Sequence, residues 1–330
     1  MHFLKYLAGR VLSWFMVIFI GITLMFFIPR FFPADPVEGM IGNMVTKTSL
    51  PAEQIELMRK QLRIQYGLEG TLGEQYIRFL AGAARFDFGP SLTNFPASAT
   101  GIVVRFLPYT VGLSLFTTII AWIFGNLIGM LAGFRKNKTS SRVLEYIAIF
   151  IYPIPYFILA LVVQIFFCFI LKIFPITASI VQNQGFVAYW GSLLRSSILP
   201  AATMILVGFG WWVISMKAMS ENTAEEEFVR FARYRGIKEG KIAAKYVFRN
   251  SIVPQVSGLT LSLGGVFGGA LMTEIIFQYP GVGQLVQKAI MQADYNLIMA
   301  TVSISIISIS TATLIADLIY PLIDPRIRFQ

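Results

Sequence analysis

Few residues in this chain can make or break bonds. It has one histidine, His2, and one cysteine, Cys168, the latter within an apolar run. A lone cysteine forms no internal disulfide, and one histidine leaves almost no raw material for general acid–base catalysis or a metal site unless carboxylates or a partner chain contribute. The acids that border apolar stretches are Glu274, Asp317 and Asp324. An intramembrane protease or lipid-modifying transferase needs paired aspartates, serine with histidine, or metal ligands, and this inventory does not supply them. No GxxxxGK[ST] phosphate cradle occurs. The nearest approach, Gly133-Phe134-Arg135-Lys136-Asn137-Lys138-Thr139, lacks the second glycine and a preceding strand and reads as a cytoplasmic turn. One ordered cluster remains. Glu225, Glu226 and Glu227 precede Phe228, Phe231 and Ala232, and Arg233 and Arg235 lead into Gly236. Acids at the start, where the helix dipole favours them, and glycine just past the end predict a short helix. Its chemistry is docking and pushing, or, on composition alone, attraction to anionic lipid.

The elements that carry these residues belong to a membrane. The 330 residues are 56% hydrophobic and 13% charged, with a mean hydropathy of +0.68, too apolar for a soluble globule of this size. A bilayer core needs roughly 20 apolar residues in a helix. Six charge-free stretches qualify: Val11 to Pro29, Phe106 to Phe134, Tyr146 to Leu171, Ser196 to Met216, Asn250 to Thr273 and Tyr295 to Ala316. A seventh, Ile173 to Leu194, carries Pro175, Thr177, Gln182, Asn183, Gln184 and Gly185 and reads as a loop. The first stretch is long for a signal-peptide core and lacks a small-x-small cleavage pattern, so it reads as a retained helix. The expected fold class is an all-α polytopic membrane protein with six transmembrane helices.

Charge sets the orientation. The chain has 27 Lys plus Arg against 17 Asp plus Glu, a net +10. With the N-terminus inside, sixteen of the 27 basic residues fall in cytoplasmic segments, and eight of these lie in the loop from Lys217 to Arg249. This places a multi-pass chain in the plasma or inner membrane with both termini cytoplasmic. The domain reading is residues 1–30 as an N-terminal transmembrane helix, 31–101 as an extracytoplasmic segment, and 102–330 as a five-helix core with its cytoplasmic loop at 217–249. In the outer segment, Ile55, Met58 and Leu62, then Tyr76, Ile77 and Leu80, recur at helical spacing. Two short amphipathic helices there form either a lid on the span ends or a surface for an external partner or substrate chamber.

The order of residues in the loop adds a family resemblance. Phe228-Val229-Arg230-Phe231-Ala232-Arg233-Tyr234-Arg235-Gly236, with Arg249-Asn250-Ser251-Ile252-Val253-Pro254 beyond it, resembles the cytoplasmic loop of permease subunits of ABC importers, in particular the branch that imports oligopeptides, dipeptides and nickel complexes. Asp87-Phe88-Gly89-Pro90-Ser91, the run from Thr273-Glu274 through Tyr279-Pro280-Gly281-Val282-Gly283-Gln284-Leu285, Asp317-Leu318-Ile319-Tyr320 and Asp324-Pro325-Arg326-Ile327-Arg328 resemble the same branch. The large outer segment after the first helix is similar to the first, B-type, of the two permeases in such systems. The Glu-Ala-Ala that names the family's coupling motif is reduced here to Ala232 and Gly236, with the acids several residues upstream.

The resemblance implies the fold of a type I importer permease and residues 228–236 as the helix that couples to an ATPase. It implies a second, different permease subunit, two ATPase subunits that carry ATP and Mg, and an extracytoplasmic substrate-binding protein. This chain itself would hold no cofactor, no metal and no catalytic residue, and would contact membrane lipid but no nucleic acid. Phe228, Phe231 and Tyr234 would supply the docking knob, with Arg230, Arg233 and Arg235 facing acidic or phosphate-proximal surfaces. Glu274 reads either as a relay or as an acceptor for the N–H groups that open a helix at Val282, beside Pro280, Gly281 and Gly283. Asp317 and Asp324, with Arg326 and Arg328 near, suit ion pairing and capping. Gly258, Gly264, Gly265, Gly268 and Gly269 offer either a pore-like face or ordinary close packing. The expected cargo is peptide; oligosaccharide or a nickel chelate is the alternative within the branch, and a passive scaffold or a membrane-embedded enzyme the alternative outside it.

Overall fold

The computed structural model describes residues 2–31, 37–38, 41–42, 51–135, 138–180, 185–264 and 270–323. Among these, every regular element is helical, with an isolated bridge between Pro90 and Ser98. In chain order the helices are α1 (His2–Phe31), α2 (Ala52–Gln65), α3 (Leu72–Ala84), α4 (Ala99–Phe134), α5 (Thr139–Ile151), α6 (Tyr156–Gln164), α7 (Phe186–Glu225), α8 (Glu227–Tyr234), α9 (Glu239–Ile242), α10 (Arg249–Gly264), α11 (Leu271–Phe277), α12 (Val282–Met291) and α13 (Tyr295–Ile323). Wide π-helical turns, Ile165–Ile170 and Ala243–Phe248, continue α6 and α9.

Among the described residues, four helices are long and apolar enough to cross a bilayer: Tyr6–Ile28 within α1, then α4, α7, and Tyr295–Ile319 within α13. The expected single span from Tyr146 to Leu171 is instead two helices that meet at 98°. Pro153 and Pro155 cause the break: neither has an N–H to continue the ladder, and each disfavours the helical conformation in the residue before it. Nor is Ile173 to Leu194 a loop throughout. Its polar residues end at Gly185, whose φ is +89°, and α7 begins at Phe186. At its other end α7 runs on past Met216 to Glu225, so the first residues of the expected loop 217–249 are helical. The extension is tolerated because the Lys217 ammonium meets Glu221 at 2.7 Å and Glu145 of α5 at 3.0 Å. The expected span Asn250 to Thr273 contains α10 and the start of α11; Gly265, Gly268 and Gly269 lie outside the described residues, and Gly264 is described only as the end of α10.

The chain forms two compact units. One comprises residues 1–7, 111–279 and 312–330. Here glycines four apart on α4 let α7 approach backbone to backbone. A Cβ on Gly129 would lie 2.6 Å from the Val213 carbonyl oxygen, and one on Gly133 would lie 2.5 Å from that of Lys217; at Gly125 it would collide with the Trp212 Cβ. Apolar spans gain little from burial against each other in lipid, so close packing of small residues and hydrogen bonds must hold them. The indole N–H of Trp122 donates to the Gln255 carbonyl at 3.0 Å, and the Gln255 amide donates to Ser215 Oγ at 2.8 Å, linking α4, α10 and α7. Gln164 of α6 donates to the carbonyls of Ile176 and Ile276. The Tyr6 hydroxyl donates to the Asp317 carbonyl at 3.0 Å. Asp324, Arg326 and Arg328 lie outside the described residues.

The other unit comprises residues 8–110 and 280–311. Its core joins Ile22 and Met25 of α1, Ala83, Phe88, Ala99 and Val103, Leu285 and Ala289 of α12, and Leu297, Ala300 and Ile304 of α13. A Thr71–Glu74 capping box opens α3. Against that helix, Phe26 packs on Tyr76 and Phe79 at centroid distances of 5.2 and 5.4 Å. The Arg30 guanidinium lies 3.6 Å over the Phe26 ring and donates to Gln75.

Candidate functional site

The short helix α8 hangs from α7 through one residue. Glu226 is extended, with φ −63° and ψ 148°, and ends one helix while opening the next. Glu227 sits in the first turn and Arg233 in the last, each favoured by the dipole at its end. Gly236 follows at φ +71°, a left-handed position, and its N–H returns to the Arg233 carbonyl at 2.9 Å.

One face of α8 is fixed inward. Val229 and Ala232 are buried with Ile242 and Val247, and Phe134, Ala224, Ile237 and Tyr246 pack around them. The other face is open: Phe228 is 43% exposed, Phe231 63% and Tyr234 87%. Large aromatics this exposed on a rigidly seated helix form a contact surface rather than a core. Arg230 and Arg235 are exposed beside them. Arg233, grouped with these two by the sequence, donates to Glu239 at 3.1 Å and lies 5.9 Å over the Phe134 ring, so it braces the loop.

The other residues singled out by sequence fall elsewhere. Glu274 is fully buried in α11, and its backbone carbonyl accepts from the Tyr279 N–H at 2.9 Å. Of the N–H groups that open α12, that of Val282 donates to Thr110 Oγ1 at 2.7 Å. Gly281 and Gly283 are buried at the start of α12, next to the half-buried Pro280. Asp317 lies within α13.

Two features escaped the sequence reading. The first is Asp294, fully buried, whose carboxylate accepts from Ser91 Oγ at 2.5 Å, from Thr93 N–H and Oγ1 at 3.1 and 3.0 Å, and from the Leu297 N–H at 3.0 Å. It caps α13 and fastens the Asp87 to Ser91 motif to it. An aspartate just before a long apolar run is a legible N-cap signal. The second is a cavity of about 670 Å³ in the unit that holds residues 111–279, walled by α4, the Tyr152 to Tyr156 turn, α7 and Ser262 of α10. No local pattern announces it, because four separate segments build its wall.

Long apolar helices, one of them broken, a chamber among them and a short seated helix with an aromatic outer face define a class: an all-α polytopic transport subunit. Comparison with known proteins narrows it. The model of the family described as "binding-protein-dependent transport system inner membrane component" matches residues 125–329, and the chain belongs to that family. It is also 27% identical, over 328 residues, to the glutathione transport system permease proteins GsiC of Shigella flexneri serotype 5b (strain 8401) and Escherichia coli (strain K12), covering 99% of this chain and 100% of theirs. The protein is therefore the permease subunit of an ABC importer, an inner-membrane component with a transport role rather than a catalytic one.

Proposed function

We propose that this chain forms half of the translocation pathway of an ATP-driven importer for peptides, with both termini in the cytoplasm. Its partners are a second, different permease, two ATPase subunits that bind ATP and Mg, and an extracytoplasmic substrate-binding protein. The observation that carries this reading is α8: an apolar face seated on α7 and the segment leading to α10, and an aromatic face left open. A permease needs two conformations and a partner that binds one of them better. A push on α8 reaches α7 through Glu226 and reaches α10 through Ile242 and Val247. Peptide as cargo is supported by the full-length relatives, which are named for the transport of glutathione.

The test is Phe231→Asp with Tyr234→Asp. Both side chains are exposed, so the chain should still insert and extract from membranes as the parent does. We expect the double variant to lose copurification of the ATPase subunits and peptide uptake together. Normal copurification would refute the docking role of α8.

A further inference from the structure

We propose that the cavity of about 670 Å³ is a binding site for the transported peptide, one that holds its neutral backbone and apolar surface and is blind to its charge. This rests on the peptide reading of the importer and adds the place and the manner of contact.

Size, lining and one unpartnered hydroxyl support the assignment. The volume lies within the range of small-ligand sites. No Asp, Glu, Lys, Arg or His lines the cavity. Its polar groups are hydroxyls, from Ser114, Thr117 and Thr118 of α4 and Ser262 of α10, with the phenols of Tyr152 and Tyr156 at the proline-broken turn. Thr117 Oγ1 already donates to the Ser114 carbonyl at 3.1 Å. Ser114 is only 1% exposed, and among the described residues its Oγ has no hydrogen-bond partner. A buried hydroxyl left unpaired is destabilising, a cost that a bound amide would remove. The aromatic wall is open: Trp211 and Tyr152 pack at 5.5 Å between centroids, and both remain substantially exposed. Flat aromatic faces bury apolar surface and lie well against planar amides.

The absence of charge from the lining decides what the site can select. A peptide's termini and ionised side chains cannot be buried here without partners, because an unpaired buried charge is costly. They therefore stay in water, and peptides of opposite net charge are held equally. Selection by charge falls to another component of the importer.

The experiment uses the assembled complex in proteoliposomes with saturating binding protein and three probes: trialanine, alanyl-lysyl-alanine and alanyl-glutamyl-alanine. Trp211→Ala should lower uptake of all three by the same factor. Thr118→Asp should introduce a charge preference, shifting the ratio of lysine peptide to glutamate peptide by about tenfold, since a carboxylate beside the bound peptide attracts one ionised side chain and repels the other. In parallel, Thr118→Cys in a Cys168→Ala background gives a single thiol whose alkylation trialanine should slow. This arm decides the matter if either of the other variants fails to assemble. A thiol that the peptide does not protect, because lipid or the second permease fills the space, would overturn the proposal, as would an unchanged charge ratio in Thr118→Asp. If the parental complex imports peptides while these tests fail, the peptide reading stands and the site falls. If it imports none of the three, both fall.

Discussion

Asp294 brings two distant parts of the chain together with one side chain. Its carboxylate takes four donors at once, three of them from Ser91 and Thr93, about 200 positions earlier. Hydrogen bonds to a charged group are worth about 1.5–3 kcal/mol each, and buried donors left without an acceptor add their own desolvation cost. Asp294→Ala should therefore destabilise this unit by about 3 kcal/mol or more, while Ser91→Ala, which removes one donor and keeps the cap, should cost about 1 kcal/mol. Thermal unfolding in detergent measures both; equal melting temperatures for parent and Asp294→Ala would show that the cluster does not hold the fold. The sequence reading held one end of this link, Asp87 to Ser91 as a family motif, and passed over the other, Asp294 before an apolar run. Their partnership was not legible, because pairing across such a separation belongs to the tertiary fold. Arg233 makes the same point at shorter range: its charge was plain, but its engagement with Glu239 depends on a turn at Gly236 that folds the loop back.

At the scale of elements, composition located the spans and missed how two of them are built. Apolarity says that 146–171 is greasy; only the prolines say that it bends, and Pro153 with Pro155 was enough to infer the break. Glycine carries a second signal. The sequence reading placed close helix approach on Gly258, Gly264, Gly265, Gly268 and Gly269, where glycines are dense, and of these Gly258 lies close to the Trp212 ring. The structure adds Gly125, Gly129 and Gly133, which are spaced by four and so share one face. At Gly258 an added Cβ would meet the Trp212 ring at 3.3 Å, whereas at Gly129 it would meet a backbone oxygen at 2.6 Å, which has no rotamer to give. Gly129→Leu should thus force α4 from α7 and cost at least the 1–3 kcal/mol typical of overpacking. Gly258→Ala should cost less. The check is the yield of monodisperse protein in detergent and its melting temperature; indistinguishable behaviour of the two variants would mean that the α4–α7 contact yields easily.

For the whole molecule, the surplus of positive charge separates into an orienting part and a working part. On the proposed orientation, the basic residues of the loops assigned to the cytoplasm orient the chain by number alone, which is why that expectation needed no fold. Lys217 works differently. It lies on α7 below the expected membrane boundary, largely buried, between Glu221 on its own helix and Glu145 on α5. With Ser251 Oγ bonded to Thr223 Oγ1 at 2.9 Å, it ties α5, α7 and α10 together near the end of α7 that carries α8. On the proposed docking of α8 to an ATPase, a displacement of α8 would reach the Tyr152 to Tyr156 turn through α5 as well as the chamber wall through α7. Lys217→Met would leave two carboxylates close together without their shared cation, loosening α5 from α7 while the α8 surface stays intact. The reconstituted importer should then still bind and hydrolyse ATP but move several-fold less peptide per ATP, and Lys217→Arg should keep most of the parental ratio. If Lys217→Met lowered hydrolysis and uptake in step, α5 would have no part in carrying the stroke, and the path from α8 to the chamber would run through α7 and α10 alone.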